Sequence, residues 1–289
     1  MANPYFYSQN PQQFIYHAPR DQNFIDFIDR ILGEYGEVSK NNRENILDKE
    51  GVSYYYTVFT SPSYNKDSNY EFMETLGDST LNKAVIWYFA RRFPQINSPD
   101  GIDILTRLKI KFIQKKSFFL LAEKLGFWGY ISTNFNRDLT EEKIKTLEDV
   151  FEAFFGATEL VIDKKYSIGT GYKICYKIIS RLLDKLNISI NYENLVDSKT
   201  RLKELFDHNK HKGIGILEYL KQVETRGAEK YYKSTVKRTI DTGEYSMIGT
   251  GEGYKMEEAE QNAATNALEI LKTQGFVKII PDEYIKYCT

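Results

Sequence analysis

The chain has 289 residues, 42% of them hydrophobic and 27% charged, which admits one or two ordinary globular domains with a core of useful size. Its 39 Lys and Arg against 40 Asp and Glu leave a net charge of −1, so no chain-wide basic signature of a nucleic-acid binder is present. No apolar run approaches the roughly 20 residues of a membrane span, no secretory signal opens the chain, and the two cysteines, Cys175 and Cys288, cannot form a disulfide framework. These features point to a reducing compartment inside the cell, cytoplasm or nucleus.

Residues 1–20 are rich in Asn, Gln, Pro, Tyr and Phe without a period, and read as a flexible or loosely docked tail. Phe24, Ile25, Phe27, Ile28, Ile31 and Leu32 then recur at helical spacing, with Gly36 placed to stop the helix. Residues 52–59 are apolar and aromatic, and their period fits strand or helix. Residues 61–65 read as a loop, and 69–92 as a long, mostly buried helix. Residues 102–127 read as one or two helices. Lys109, Lys111, Lys115 and Lys116 give them a basic side, which either lines a channel for a polyanion or is solvated; Leu120, Leu121 and Leu125 give an apolar side. Helices over 141–163 and 172–186 follow. Cys175 reads as a small buried residue. With no convincing alternating strand, 21–187 is expected to be all-α.

Residues 188–198 read as a linker, after which the pattern changes. A short helix over 200–206 precedes strands at 217–223, 231–240 and 245–250, the first two joined by a hairpin-like loop. A last helix over 257–271 carries Ala259, Ala263, Ala264 and Ala267, small residues that let a helix lie close on a sheet. The order α-β-β-β-α over 199–273 predicts a second, α+β domain, and 274–289 reads as a tail.

The chemistry-bearing stretch is residues 70–79. Glu71, Glu74 and Asp78 stand at steps of three and four, which puts them on one helix face. Like charges on one face repel, and a cation among them removes the penalty. Asp149 and Glu152 repeat the pattern at i, i+3. Hard divalent cations favour carboxylate oxygen, and phosphodiester hydrolysis gains when such ions activate water and stabilise the departing oxygen. Either group alone is equally well a solvated acidic face. The apolar neighbours Phe72, Met73, Leu76, Phe151, Phe154 and Phe155 argue that both helices are otherwise buried, and Gly77 and Gly156 would let them approach closely.

Two segments resemble ribonuclease III. Residues 69–79 carry Glu-x-x-Glu-x-Leu-Gly-Asp-Ser from Glu71 to Ser79, and 147–157 carry Asp-x-x-Glu-Ala-Phe-Phe-Gly from Asp149 to Gly156. Residues 113–127, with Gln114-Lys115-Lys116 before Leu120-Leu121-Ala122, are similar to the segment between them. The motifs occur in the family's order, and the resemblance covers about residues 45–272. It implies an all-α ribonuclease III endonuclease domain that cuts double-stranded RNA with Mg²⁺, or Mn²⁺ in its place, leaving 5′-phosphate and 3′-hydroxyl ends. It also implies a homodimer through that domain. By motif position, Glu74, Asp78, Asp149 and Glu152 are the implied metal ligands, with Asp78 and Glu152 the catalytic pair. Glu71 is a supporting acid nearer the dimer contact. Thr75 departs from the aromatic or small apolar residue common at its position, which bears on packing.

The second domain resembles the double-stranded RNA-binding domain, at 197–205 and again at 249–268. Such domains read A-form shape and phosphates. Lys203, Arg226, Lys230 and Lys255 are the implied RNA contacts there, with Lys115 and Lys116 in the first domain. The family usually opens its last helix with lysines; here Lys255 is followed by Met256, Glu257 and Glu258, and residues 199–272 hold 13 Lys and Arg against 12 Asp and Glu. The expected RNA affinity is weak and salt-sensitive. His208 and His211 lack the companions of a zinc site, and Gly249-Thr250-Gly251-Glu252-Gly253 is no Walker or dinucleotide loop but fits a strand-to-helix turn. A non-catalytic protein that binds duplex RNA or acts as a scaffold on the same fold is the alternative, which the complete acidic quartet disfavours. Metal-dependent hydrolysis of small molecules leaves the second domain without a task.

Overall fold

Apolar residues from Leu147 to Ile162 fall on every side of a helix, a pattern that requires burial all round. In the computed structural model this stretch is the centre of the first of two units. The structure describes residues 14–113, 115–138, 140–226, 229–277, 280 and 282–288; the side chains of 115, 116, 226, 229, 282, 283 and 288 lie outside the described set. The first unit takes the chain up to Asn97 and Leu108–Asn187, the second Ser98–Arg107 and Ile188–Thr289.

The first unit runs β1 (Ile15–Tyr16), α1 (Gln22–Glu34), α2 (Lys40–Ile46), α3 (Lys49–Val58), α4 (Glu71–Arg92), the latter part of α5 (Ile102–Phe112), α6 (Lys115–Leu125), β2 (Thr133–Asn134), α7 (Thr140–Lys165) and α8 (Thr170–Asp184). Asp21 caps α1 by accepting from Asn23 N and Phe24 N, and Asp48 caps α3 through Gly51 N. Each supplies an acceptor for an otherwise orphaned amide. The core is aromatic: Phe24, Tyr55, Phe59, Phe89, Phe118, Phe127, Phe151, Phe154 and Phe155 are all fully buried. At about 1.5–3 kcal/mol for each such side chain removed from water, this cluster is the main source of the unit's stability. Helices α4, α6 and α8 pack around α7.

Several expectations change here. The undecided stretch 52–59 is helical, within α3 to Val58 with Phe59 as its C-cap, and sends Tyr55, Val58 and Phe59 inward. The expected tail ends earlier than residue 20. Residues 1–13 lie outside the described residues, but Ile15 and Tyr16 pair antiparallel with Asn134 and Thr133. The Arg20 guanidinium donates to the carbonyls of Phe59 and Tyr130, both at 2.7 Å. These two bonds anchor a segment whose composition alone suggested mobility. The β1–β2 pair also adds a two-residue strand, Thr133–Asn134, to a region expected to be all-α. Residues 102–127 do split into two helices, α5 and α6, with Leu120 exposed rather than on the apolar side.

The second unit holds α9 (Tyr192–Leu195), α10 (Ser198–Asn209), β3 (Ile216–Arg226), β4 (Glu229–Thr239), β5 (Tyr245–Gly253), α11 (Met256–Thr273) and α12 (Asp282–Cys288). The strands form one antiparallel sheet in the order β3-β4-β5. Leu202, Leu205, Phe206, Ile214, Val236, Ile248, Leu271 and the alanines of α11 build its core. The α-β-β-β-α order read from the sequence is present. The Gly249–Gly253 run is not a turn: it lies inside β5, and a Cβ on Gly251 would stand 2.2 Å from Ala263 N and 2.4 Å from Ala259 O. Glycine on the strand and alanine on α11 together set the close packing of helix on sheet.

The expected linker and tail are also structured. Ile188, Ile190, Tyr192, Leu195 and Val196 are buried. Tyr284 of α12 meets Tyr192 edge-on at 5.2 Å, and Tyr287 shares a 2.7 Å hydrogen bond with Ser98. Such contacts are why Ser98–Arg107, early in the chain, belongs to the C-terminal unit.

Candidate active site

Helices α4 and α7 cross where each has a glycine. A Cβ on Gly77 would lie 1.8 Å from Glu152 O, and one on Gly156 would lie 2.1 Å from Met73 O; each would also stand 2.9 Å from the other glycine's nitrogen. Any side chain at either position separates the backbones. The crossing brings together the stretches that carry the acids, Glu74 and Asp78 on α4 and Asp149 and Glu152 on α7, so that Glu74 and Glu152 feel the charges of the others.

The four differ in exposure. Asp78 is exposed, Glu74 and Glu152 are half-buried, and Asp149 is only 6% exposed. Burial, followed by the charges of Asp149 and Glu71, pushes the Glu74 carboxyl up to about 7, with Lys145 opposing and Glu148 adding. Burial, followed by Asp78, Glu148, Glu74 and Asp149, pushes Glu152 up to about 8. The neighbouring acids thus add to burial in raising the proton affinity of Glu74 and of Glu152, as like charges in a partly desolvated site do. Glu71 is exposed and reaches the group through its charge on Glu74.

Two neutral donors touch the cluster. Tyr70 donates its phenol to Asp149 Oδ2 at 3.0 Å; burial, then the Asp149 charge, raises its pKa and keeps the phenol protonated. Asn82, one turn beyond Asp78, donates to Asp78 Oδ1 at 2.7 Å and to its carbonyl at 2.8 Å.

Among the described residues, no group of three or more His, Cys, Asp or Glu is gathered tightly enough to hold a metal ion. The carboxylates feel one another's charge but stand apart. Their chemistry nonetheless fits a hard divalent cation. Every candidate ligand is a carboxylate oxygen, and the crowding that raises Glu74 and Glu152 is what a positive charge between them reverses.

The sequence reading missed Glu148, which is buried and adds to the crowding at both Glu74 and Glu152. Its signal was present, since Glu148 stands at i, i+4 from Glu152 on the face already singled out. Phe72 had been counted as evidence of burial around the acids, yet it is 69% exposed. Met73 and Gly77 face α7 instead.

A model of the ribonuclease III domain matches residues 71–161, which span both acidic groups. A protein of Invertebrate iridescent virus 6 named for ribonuclease 3 is 34% identical over 93% of this chain and 94% of its own length. The chain belongs to the ribonuclease III family. A protein of Frog virus 3 with the same name is 36% identical over 79% of this chain, which spans 58% of that longer protein. The ribonuclease 3 of a Sulfurovum strain is 28% identical over 83% of this chain and its whole length. This ribonuclease III chain is therefore an endoribonuclease with the family's helical nuclease domain, and the family generally works with divalent metal.

Of the basic residues implied as RNA contacts, Lys203 is exposed on α10, Lys230 near the start of β4 and Lys255 just before α11. The side chains of Arg226, Lys115 and Lys116 lie outside the described residues. Nearby lysines are engaged: Lys199 and Lys221, the latter at 2.6 Å, both pair with the Glu260 carboxylate of α11. Among the described residues no helix is long and apolar enough to cross a membrane.

Proposed function

We propose that this ribonuclease III cleaves double-stranded RNA by Mg²⁺-assisted hydrolysis, with Mn²⁺ able to substitute, leaving 5′-phosphate and 3′-hydroxyl ends. The observation that carries the reading is the complete set of Glu74, Asp78, Asp149 and Glu152 beside the Gly77–Gly156 crossing, with the Glu74 and Glu152 carboxyls driven up by burial and then by neighbouring acids. These four would hold the metal. When bound, the divalent ion supplies charge stabilisation at the phosphate and activation of the attacking water.

The chain's own part is positional. The helix crossing holds the acids in register. Glu152, with its raised carboxyl, and Asp78, exposed beside it, are assigned the most sensitive roles. Glu71 supports them. The protein is proposed to work as a homodimer through the nuclease domain, inside a cell, in a reducing compartment.

The second unit is proposed to be a double-stranded RNA-binding domain, which its α-β-β-β-α order supports. Lys203, Arg226, Lys230 and Lys255 are its proposed contacts, with Lys115 and Lys116 in the first unit. Its grip is expected to be weak, because Glu257 and Glu258 open α11 and Glu260 occupies Lys199 and Lys221.

The test is incubation of purified protein with a long duplex RNA of defined length and Mg²⁺. Shortened duplexes bearing 5′-phosphate support the proposal. Binding without turnover in both Mg²⁺ and Mn²⁺ favours the non-catalytic alternative. Cleavage by an Asp78→Asn, Glu152→Gln double variant at the wild-type rate overturns the assignment of the site.

A further inference from the structure

Two side chains that are not themselves acids hydrogen-bond to carboxylates of the site, and these two share one property. We propose that Tyr70 and Asn82 are positioning residues of the metal site, each presetting one carboxylate with a neutral hydrogen bond: Tyr70 for Asp149 and Asn82 for Asp78. This rests on the reading of those two acids as metal ligands.

The geometry of Tyr70 is specific. Its backbone N–H donates to Thr60 O at 3.2 Å, and its carbonyl accepts from Glu74 N at 2.9 Å to open the first turn of α4. The residue is therefore fixed at both peptide groups. Its ring is 5% exposed, and its phenol reaches Asp149, 79 positions away on α7, at 3.0 Å. If packing were the whole requirement, phenylalanine would fill this space without a hydroxyl to satisfy. The hydroxyl sets the rotation of a carboxylate that is itself buried, and it joins the start of α4 to α7 on the acidic side of their crossing.

Asn82 does the corresponding work within α4. Its amide spans Asp78 Oδ1 at 2.7 Å and the Asp78 carbonyl at 2.8 Å, so the side chain of Asp78 is tied to its own backbone through a residue one turn later.

Neutrality is the shared property. A lysine or arginine would satisfy a crowded carboxylate more strongly, but its charge would oppose a divalent cation arriving at the same oxygens. A phenol or an amide orients the carboxylate and leaves its charge intact. Partners of this kind around metal ligands are worth about 10–100-fold in metal affinity.

The experiment is calorimetric titration of Mn²⁺ into the full chain without RNA, together with duplex cleavage at limiting and saturating Mn²⁺. Tyr70→Phe is expected to weaken Mn²⁺ about tenfold. Asn82→Ala is expected to weaken it about threefold, because exposed Asp78 is partly steadied by water. Cleavage should fall at limiting Mn²⁺ and recover as Mn²⁺ is raised, a dependence that a fold defect would not show. In an Asp149→Asn background, Tyr70→Phe should cost nothing further, since its effect passes through that carboxylate.

Mn²⁺ affinity within twofold of wild type in both variants overturns the proposal, as does a Tyr70→Phe loss that persists in full beside Asp149→Asn. Should Tyr70→Phe fail to fold, Asn82→Ala, on the half-exposed side of α4, carries the test alone under the same criterion. Failure of the underlying reading looks different: wild type itself binds no Mn²⁺, which removes both.

Discussion

Among the described residues, the buried carboxylate of the second unit and the partly buried carboxylates between α4 and α7 are stabilised in opposite ways. In the second unit, Glu260 is 6% exposed and sits between Lys199 and Lys221. Burial works against its charge, but the two lysines outweigh it and hold the carboxyl below its usual range. In the first unit, Glu74 and Glu152 are surrounded by further acids, and burial and repulsion act together to push them up to about 7 and 8. The Glu260 site carries its own counter-cations and is complete as folded. At the α4–α7 site Tyr70 and Asn82 are neutral donors, and the charge of Lys145 opposes the rise of Glu74 without cancelling it. The structural acid Glu260 and the acids proposed for catalysis thus differ in their partners rather than in burial alone.

The largest expected effect comes from removing the charge that awaits the cation. Asp78→Asn with Glu152→Gln should lower duplex cleavage by roughly 10³-fold or more, measured as kcat under saturating Mg²⁺. The same change should raise the metal-free melting temperature, because it deletes repulsion. A melt that falls instead would show that the acids already stabilise each other without metal, and the contrast with Glu260 would fail. Next in size is the crossing itself. Gly77→Ala places a methyl 1.8 Å from Glu152 O, and should cost about 3 kcal/mol or more of stability in chemical denaturation, at the upper end of overpacking penalties. Glu260→Gln comes third. Lys221 is half in solvent, so the loss is discounted to about 1–2 kcal/mol. Freeing Lys199 and Lys221 should also tighten duplex RNA binding and steepen its dependence on salt. Unchanged affinity would place these lysines away from RNA.

The site was more legible than the surroundings that hold it. Spacing alone put Glu74 and Asp78 on one face and Asp149 and Glu152 on another, and two glycines beside them announced a close crossing. Glu148 escaped although its spacing to Glu152 was on view, because attention stayed on the motif. Asn82 escaped in the same way, at i, i+4 from Asp78. Tyr70 escaped for a different reason: a hydrogen bond over 79 positions leaves no periodic trace. The same holds for the fold. Helix and strand periods marked most elements, including α11 with its alanine face. The docking of Ile15–Tyr16 on Thr133–Asn134, and the grouping of Ser98–Arg107 with α9 and α12, depend on tertiary contacts that no local period encodes. Phe72 shows the converse error, where an apolar residue at core spacing stands in solvent.

The most direct comparison of the two settings in one measurement is the pH dependence of metal-free stability. Glu74 and Glu152 titrate in the folded protein at about 7 and 8, against an ordinary 4.5. Between pH 4.5 and 8 the unfolded chain has already released these protons while the folded chain still binds them. Stability therefore falls as pH rises through that window. Glu260 has the opposite sign. Its pKa is depressed on folding, so its contribution is full above 4.5 and is lost as pH falls through its folded value. Melting temperatures recorded in chelator from pH 4 to 8.5 should pass through a maximum near pH 5, with the alkaline decline set by the first unit and the acid decline shared by the second. Saturating Mg²⁺ should flatten the alkaline limb and leave the acid limb in place. In Glu260→Gln the acid limb should become shallower with the alkaline limb unchanged. A metal-free profile that rises from pH 5 to 8 would mean that the acids between α4 and α7 already have their counter-charge within the protein.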